Sequence, residues 1–240
     1  TWDELALLLN KTWPHAHGTN LALARLAIDT GYESAAVYGW ARQMGHVQVA
    51  PVKGVEGFNR SAPISGPTFV DVNENGRKLK RGVRLWTVST STFKSETYRF
   101  LRLQKPTDEE LTSGSSFPAG YIHLPSGLEA EWVKQLVGEQ LMTITTKRGF
   151  QKLEWQKLRE RNEVLDCRVY ARAAVYIVGA DRWSEERWRD LEDQIGPAPD
   201  EQTDPRVDQG GAAGLLVREP GTGGKRRSTW LNGVDKGWLR

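Results

Sequence analysis

Three carboxylates in this chain are placed to do chemistry: Asp29, Glu163 and Asp166. The last two lie in Arg161-Asn162-Glu163-Val164-Leu165-Asp166-Cys167-Arg168-Val169-Tyr170-Ala171-Arg172-Ala173-Ala174. That stretch has no Gly or Pro, and Leu165, Val169 and Ala173 recur every fourth residue, the period of a helix packed along one side. Alanines favour the helix in its second half. A three-residue spacing projects Glu163 and Asp166 from one face of the first turn, where the helix dipole favours acids. Hard divalent cations such as Mg²⁺ and Mn²⁺ take carboxylate oxygens, so the two are candidate metal ligands. The plainer reading is an acid pair opening a core helix.

Asp29 ends the apolar run Leu21–Ile28 and precedes Thr30-Gly31. Ligands of open α/β sheets bind at the carboxyl ends of strands, which suits Asp29 to a metal or a substrate. The plainer reading is a turn former or helix cap. A strand-end acid and a helix acid facing the sheet can share divalent ions. Two ions about 3.5–4 Å apart stabilise the attacking and leaving oxygens of phosphodiester hydrolysis. Such a site needs at least three carboxylates against four positive charges.

Other chemistries find little support. His15 and His17 lie in a Pro/Gly loop, and His46 has no partner. His123 stands at the end of an expected short strand, Tyr121-Ile122-His123-Leu124-Pro125, and reads as structural. No Ser or Cys has a His/Asp setting for nucleophilic catalysis. Lys53-Gly54-Val55-Glu56-Gly57 lacks the Lys-Ser/Thr ending of a P-loop. Cys167 is the only cysteine, which excludes an intrachain disulfide and a Cys-rich zinc site and suits a reducing cytoplasm.

The chain has 240 residues, room for one large domain with an extension. Its formal net charge is +3, so charge distribution matters more than charge sum. Basic residues gather at Lys78 to Arg84 (Lys78, Lys80, Arg81), at Lys147 to Lys152 (Lys147, Arg148) and at Lys225 to Arg227; Lys53 stands alone. Such clusters contact phosphates without reading sequence; solvated hairpins are the plainer reading. No apolar run reaches the ~18 residues of a membrane span, and the N-terminus lacks a signal peptide's apolar core. The chain opens on Thr1 rather than Met, which reads as a processed polypeptide or a fragment.

The elements that must position these residues follow from periodicity. Trp2 to Trp13 reads as an amphipathic helix with a Thr1/Glu4 capping box. Leu21 to Ile28 reads as a buried strand, 34–44 as a helix and 47–52 as a second strand. This strand–helix–strand unit signals an α/β fold with parallel pairing. Residues 68–72 and 78–88 read as a hairpin around Asn73-Glu74-Asn75-Gly76. Helices are expected over 93–103, 128–138, 164–177 and 184–194, and strands over 141–147 and 150–155. Residues 196–240, rich in Pro, Gly, Asp and Gln, read as a mostly disordered tail after a domain over 1–195.

Several stretches, in order, resemble the nuclease domain of the large terminase subunit of tailed phages, of the GpA type. They are Ala27-Ile28-Asp29-Thr30-Gly31; Val49-Ala50-Pro51-Val52-Lys53-Gly54-Val55; Leu85-Trp86-Thr87-Val88 with Lys94; and Tyr121-Ile122-His123-Leu124-Pro125. Gln135-Leu136-Val137-Gly138-Glu139 and Trp155 with Asn162-Glu163-Val164-Leu165-Asp166-Cys167 complete the set. The resemblance implies an RNase H-like (RuvC-like) mixed sheet flanked by helices, with a β-hairpin insertion. It implies cutting of concatemeric double-stranded DNA with Mg²⁺ or Mn²⁺, beside a small terminase subunit and a portal protein, in the host cytoplasm. The family's strand-end acid falls on Asp29 and its helix acid on Asp166, with Glu163 able to assist.

Two departures from that pattern bear on activity. The family's first catalytic Asp, on an opening strand, has no counterpart before Trp2. An Asp three residues before the family's Lys is here Ser91. The resemblance therefore leaves this chain, taken alone, expected to be weak or inactive. The rival expectation is a non-catalytic α/β module, a degenerate prophage remnant, that binds DNA or the portal.

Overall fold

The computed structural model describes residues 1–15, 18–74 and 76–196. His17 and, apart from Gly196, the expected tail lie outside the described residues.

Helix α1 spans Trp2–Asn10 and opens on the expected capping box: Thr1 accepts from the Glu4 amide while Glu4 reaches back to the Thr1 amine. It stops before Trp13 because a residue preceding proline is pushed to extended backbone. Thr12–Pro14 (β1) pairs antiparallel with Asn20–Ala22 (β2) instead. The apolar run expected as one strand is thus two. After Leu23-Ala24-Arg25 the chain enters β3, Leu26–Asp29, in a different sheet. Nor is the run buried as expected: Leu21 and Ala22 are exposed and Leu23 to Ile28 are only part-buried, because a continuous apolar run specifies neither the partner strand nor what covers it.

Helix α2 spans Ser34–Met44 as expected, and β4 spans Val49–Val55. The long hairpin β5 (Ile64–Glu74) and β6 (Arg77–Ser89) follows. The main sheet has the order β3-β4-β6-β5; β3, β4 and β6 are parallel, and β5 is antiparallel to β6. The mixed α/β sheet flanked by helices is as expected.

Helix α3 (Thr90–Phe100) starts directly from the end of β6 without a loop, earlier than its apolar pattern indicates. Ser89 and Thr92 share a hydroxyl–hydroxyl hydrogen bond across that junction at 2.8 Å. Short helix α4 (Asp108–Thr112) has the capping box Thr107/Glu110. Residues 121–125 form no strand; Tyr121 and His123 pack on Phe117, with ring centroids 5.0 and 4.5 Å from it. Helix α5 (Ala130–Leu136), hairpin β7 (Glu139–Thr145) and β8 (Gln151–Lys157), helix α6 (Glu163–Val178) and helix α7 (Glu185–Ile195) complete the order.

Strand alternation divides the core by face. On one face Val52 and Val88 meet Phe93 of α3 and Val169 and Ala173 of α6. On the other, Val49, Leu26 and Ile28 meet Leu9 of α1 and Trp40 and Ala41 of α2. Asp29 shares the parity of Ala27, which packs with the first cluster, so it faces α6.

Candidate active site

The carboxyl end of β3 is fixed by its neighbour. The Thr30 amide and its Oγ1 both donate to the Val52 carbonyl of β4, at 3.0 and 2.9 Å. Gly31 leaves room for the acid that precedes it: a Cβ there would stand 2.9 Å from Asp29 Oδ2. Opposite, α6 carries Asp166 in its first turn and Tyr170 one turn later. The Tyr170 hydroxyl donates to Asp29 Oδ1 at 3.1 Å. The phenol reaches it over Gly54 of β4, where a Cβ would lie 2.6 Å from the Tyr170 oxygen and 2.8 Å from Thr90 Cγ2.

Asp29, Asp166 and Tyr170 open on one cleft of about 1020 Å³. Its floor holds a buried charge network. Lys94 Nζ donates to both Glu139 carboxylate oxygens, at 2.9 and 2.7 Å, and Asn162 Nδ2 donates to Glu139 Oε1 at 2.6 Å. Lys94, Glu139 and Asn162 are 5%, 3% and 3% exposed, so these charges have almost no water and depend on one another. The Glu139 backbone is held as well: its amide donates to the Tyr98 hydroxyl, which donates back to its carbonyl.

Asp166 is half-buried above this floor. Burial raises its carboxyl above the usual range, and the charges of Glu139 and Asp29 push the same way. Lys94 and Lys157 oppose them. Burial, then Asp29, also pushes the Tyr170 phenol well above its ordinary value, so it stays a donor. Asp29 and Asp166 are therefore electrically coupled across one cleft.

Glu163 lines the same cleft but is exposed and turned to Arg161 at 3.5 Å. Its own backbone amide, then Arg161, holds its carboxyl below the usual range. It does not converge with the other two. Ser91 is buried elsewhere, its Oγ accepting from the Gly57 amide at 2.9 Å. Lys53 is exposed and alternates with Gly54 on β4, so it faces away from α6. Lys78, Lys80 and Arg81 stand on the β5–β6 hairpin, and Lys147 and Arg148 on the β7–β8 turn; none lines the cleft.

Asp29 and Asp166 supply hard oxygens of the kind that Mg²⁺ and Mn²⁺ prefer, and Mg²⁺ is commonly held by one or two carboxylates with waters and substrate phosphates. The donor types on this cleft are therefore those such an ion takes. Among the described residues no group of three or more His, Cys, Asp or Glu gathers closely enough to hold a metal.

The family model for the terminase large subunit gpA endonuclease domain matches residues 1–188. The chain belongs to this family. It is 29% identical to the terminase large subunit of Escherichia phage lambda over 187 residues, 75% of this chain and 27% of that protein. It is 32% identical to that of Enterobacteria phage P21 over 177 residues, 73% of this chain and 25% of that protein. The chain thus spans about a quarter of the length of the curated relatives it matches. No solved structure matches it.

In this gpA endonuclease domain, sequence reasoning missed Tyr170 and Lys157, and it quoted Lys94, Glu139 and Asn162 within the family's motifs without showing that they meet. Tyr170 had a signal: it follows Asp166 by four residues, on the same helical face. Gly54 had none, since only the fold shows the phenol lying over it. Glu139 opens β7 two residues before the strand expected from Leu141, and nothing local marks it as a buried partner of Lys94.

Proposed function

We propose that this domain is the endonuclease part of a phage DNA-packaging terminase, hydrolysing phosphodiester bonds of concatemeric double-stranded DNA. The observation that carries the reading is the convergence of Asp29 and Asp166 on one cleft in a chain of this family. Parallel β3, β4 and β6 with antiparallel β5, and α6 packed across them, support an RNase H-like domain over residues 1–195.

Asp29 and Asp166 would hold one Mg²⁺ or Mn²⁺. When bound, such an ion polarises the phosphoryl oxygen and acidifies water at neutral pH. The chain's own groups do the rest. The Tyr170 hydroxyl fixes Oδ1 of Asp29. Lys157 lends positive charge at the cleft wall, where a DNA phosphate must come. Lys94 and Glu139 act on Asp166 in opposite senses, the first favouring its ionised form and the second its protonated form. Glu163 assists from the rim. Lys53, Lys78, Lys80, Arg81, Lys147 and Arg148 hold DNA outside the cleft through its phosphates. A small terminase subunit and a portal protein are the proposed partners, and the host cytoplasm the setting; no helix among the described residues is long and apolar enough to cross a membrane.

With Ser91 where the family has an Asp, cleavage by this chain alone is expected to be weak or absent. The second reading is a non-catalytic module that binds DNA or the portal, for which the basic residues outside the cleft suffice. Supercoiled-plasmid nicking in Mn²⁺ separates the two. The enzyme nicks slowly and Asp166→Asn stops it. Metal-independent DNA binding without nicking, unchanged in Asp166→Asn, establishes the module.

A further inference from the structure

A second pocket, of about 240 Å³, shares no lining residue with the cleft. Its origin is in the strand register. Strands β4 and β6 pair from Val52 opposite Trp86 to Val55 opposite Ser89. Before that they diverge, and Arg81 to Arg84 stand clear of Val49 to Pro51. The C-terminal end of α2 closes the gap. Arg81 and Arg84 line it together with Phe69.

Both guanidinium groups are held in place. The Arg81 guanidinium lies 4.2 Å from the centroid of the Phe69 ring, and that of Arg84 5.8 Å from the same ring. Arg81 also has a left-handed backbone, φ 53°, which is uncommon for a residue with a side chain. Asp71 holds it there, its Oδ1 accepting the Arg81 amide at 2.9 Å. Backbone strain kept by a specific partner points to use rather than accident. The Arg84 charge is also felt beyond the pocket: it depresses the Arg25 guanidinium, whose chief depressor is burial.

We propose that this pocket binds one phosphate group of a nucleic-acid backbone, at a site separate from the carboxylate cleft. Guanidinium forks match phosphate oxygens in pairs, and stacking on Phe69 restrains them beforehand. The volume suits a phosphate; pockets for whole drug-sized ligands run about 300–1,000 Å³. The positive pocket stands on its own geometry, and only the choice of DNA as the phosphate's source rests on the function proposed above.

The test is duplex binding in EDTA, followed by fluorescence anisotropy over a series of KCl concentrations. The chain is compared with Arg81→Gln/Arg84→Gln, with Arg84→Lys and with the exposed control Lys105→Gln. Losing one phosphate contact lowers the magnitude of the slope of log K against log salt by about 0.9. The double variant shows that loss and binds roughly tenfold more weakly at 0.1 M salt. Arg84→Lys keeps the slope and loses part of the affinity, which reports on the fork even where the double variant folds poorly. Lys105→Gln changes neither. In a second arm, millimolar inorganic phosphate raises the melting temperature of the parent chain and not of the double variant.

An unchanged slope with loss of the phosphate stabilisation assigns the pocket to free phosphate and overturns DNA as its source. An unchanged slope without any phosphate stabilisation overturns the site. Mn²⁺ binding, read on the same preparations, reports separately on Asp29 and Asp166, so failure of the nuclease reading is not confused with failure of this one.

Discussion

Tyr170 on α6 donates its hydroxyl to Asp29 Oδ1 on β3, so the helix that carries Asp166 also holds the acid at the strand end. One bond of 3.1 Å thereby sets the relative position of the two carboxylates. Partners that orient ligand carboxylates are worth about 10–100-fold in metal affinity. Tyr170→Phe is expected to weaken Mn²⁺ binding about tenfold by calorimetry, with little change in melting temperature because Asp29 is exposed. Unchanged Mn²⁺ affinity would show that the bond positions nothing.

Gly54→Ala attacks the same relationship from the sheet. The new methyl would stand 2.6 Å from the Tyr170 oxygen, closer than carbon and oxygen approach, and 2.8 Å from Thr90 Cγ2. The ring must move, at a cost of about 1–3 kcal/mol. Urea unfolding gives that cost, and the Mn²⁺ affinity should fall at least as far as in Tyr170→Phe. A variant as stable as the parent would contradict this packing.

The Lys94–Glu139 pair is expected to be unforgiving singly and tolerant doubly. Lys94→Met leaves a buried, uncompensated carboxylate and should cost about 3–5 kcal/mol. Lys94→Met with Glu139→Gln removes both charges and should recover a substantial part of that in a double-mutant cycle. Additive losses would mean that the two charges do not depend on each other.

Asp166 makes stability depend on pH in a defined direction. Its folded-state carboxyl is raised above the unfolded value, chiefly by burial. The folded state therefore binds the proton more tightly, and stability falls as pH rises from the unfolded to the folded value. Above that window the cost of the buried charge is present in full. Asp166→Asn should raise the melting temperature at pH 7, with the gain vanishing at a pH below the usual carboxylate range. A loss at pH 7 would show that the ionised form is favoured where it stands. Metal competes with that proton, so Mn²⁺ affinity should also drop as pH falls through the raised value.

The sequence made the elements of the site legible, and part of its geometry. Asp29 and Asp166 stood out because each sits where a periodic pattern ends or begins, at a strand's carboxyl end and in a helix's first turn. Strand-to-helix patterning carried α2, β4 and α6 close to their observed limits. The rest depended on long-range pairing that local pattern does not encode. The run Leu21–Ile28 divides between two sheets because its halves have different partners. Lys94 and Glu139 are 45 positions apart and meet only after α3 and β7 dock, so neither looked like half of a buried pair. Glu163 shows the opposite failure: the spacing that grouped it with Asp166 is real, but Arg161 draws its carboxylate to the rim.

Whether Asp29 and Asp166 share one divalent ion is decided by Mn²⁺ binding followed by electron paramagnetic resonance. One Mn²⁺ is expected to bind per chain in the cleft, lost in both Asp29→Asn and Asp166→Asn and retained in Lys105→Gln. A parent chain that binds no Mn²⁺, or one whose binding survives both substitutions, contradicts it.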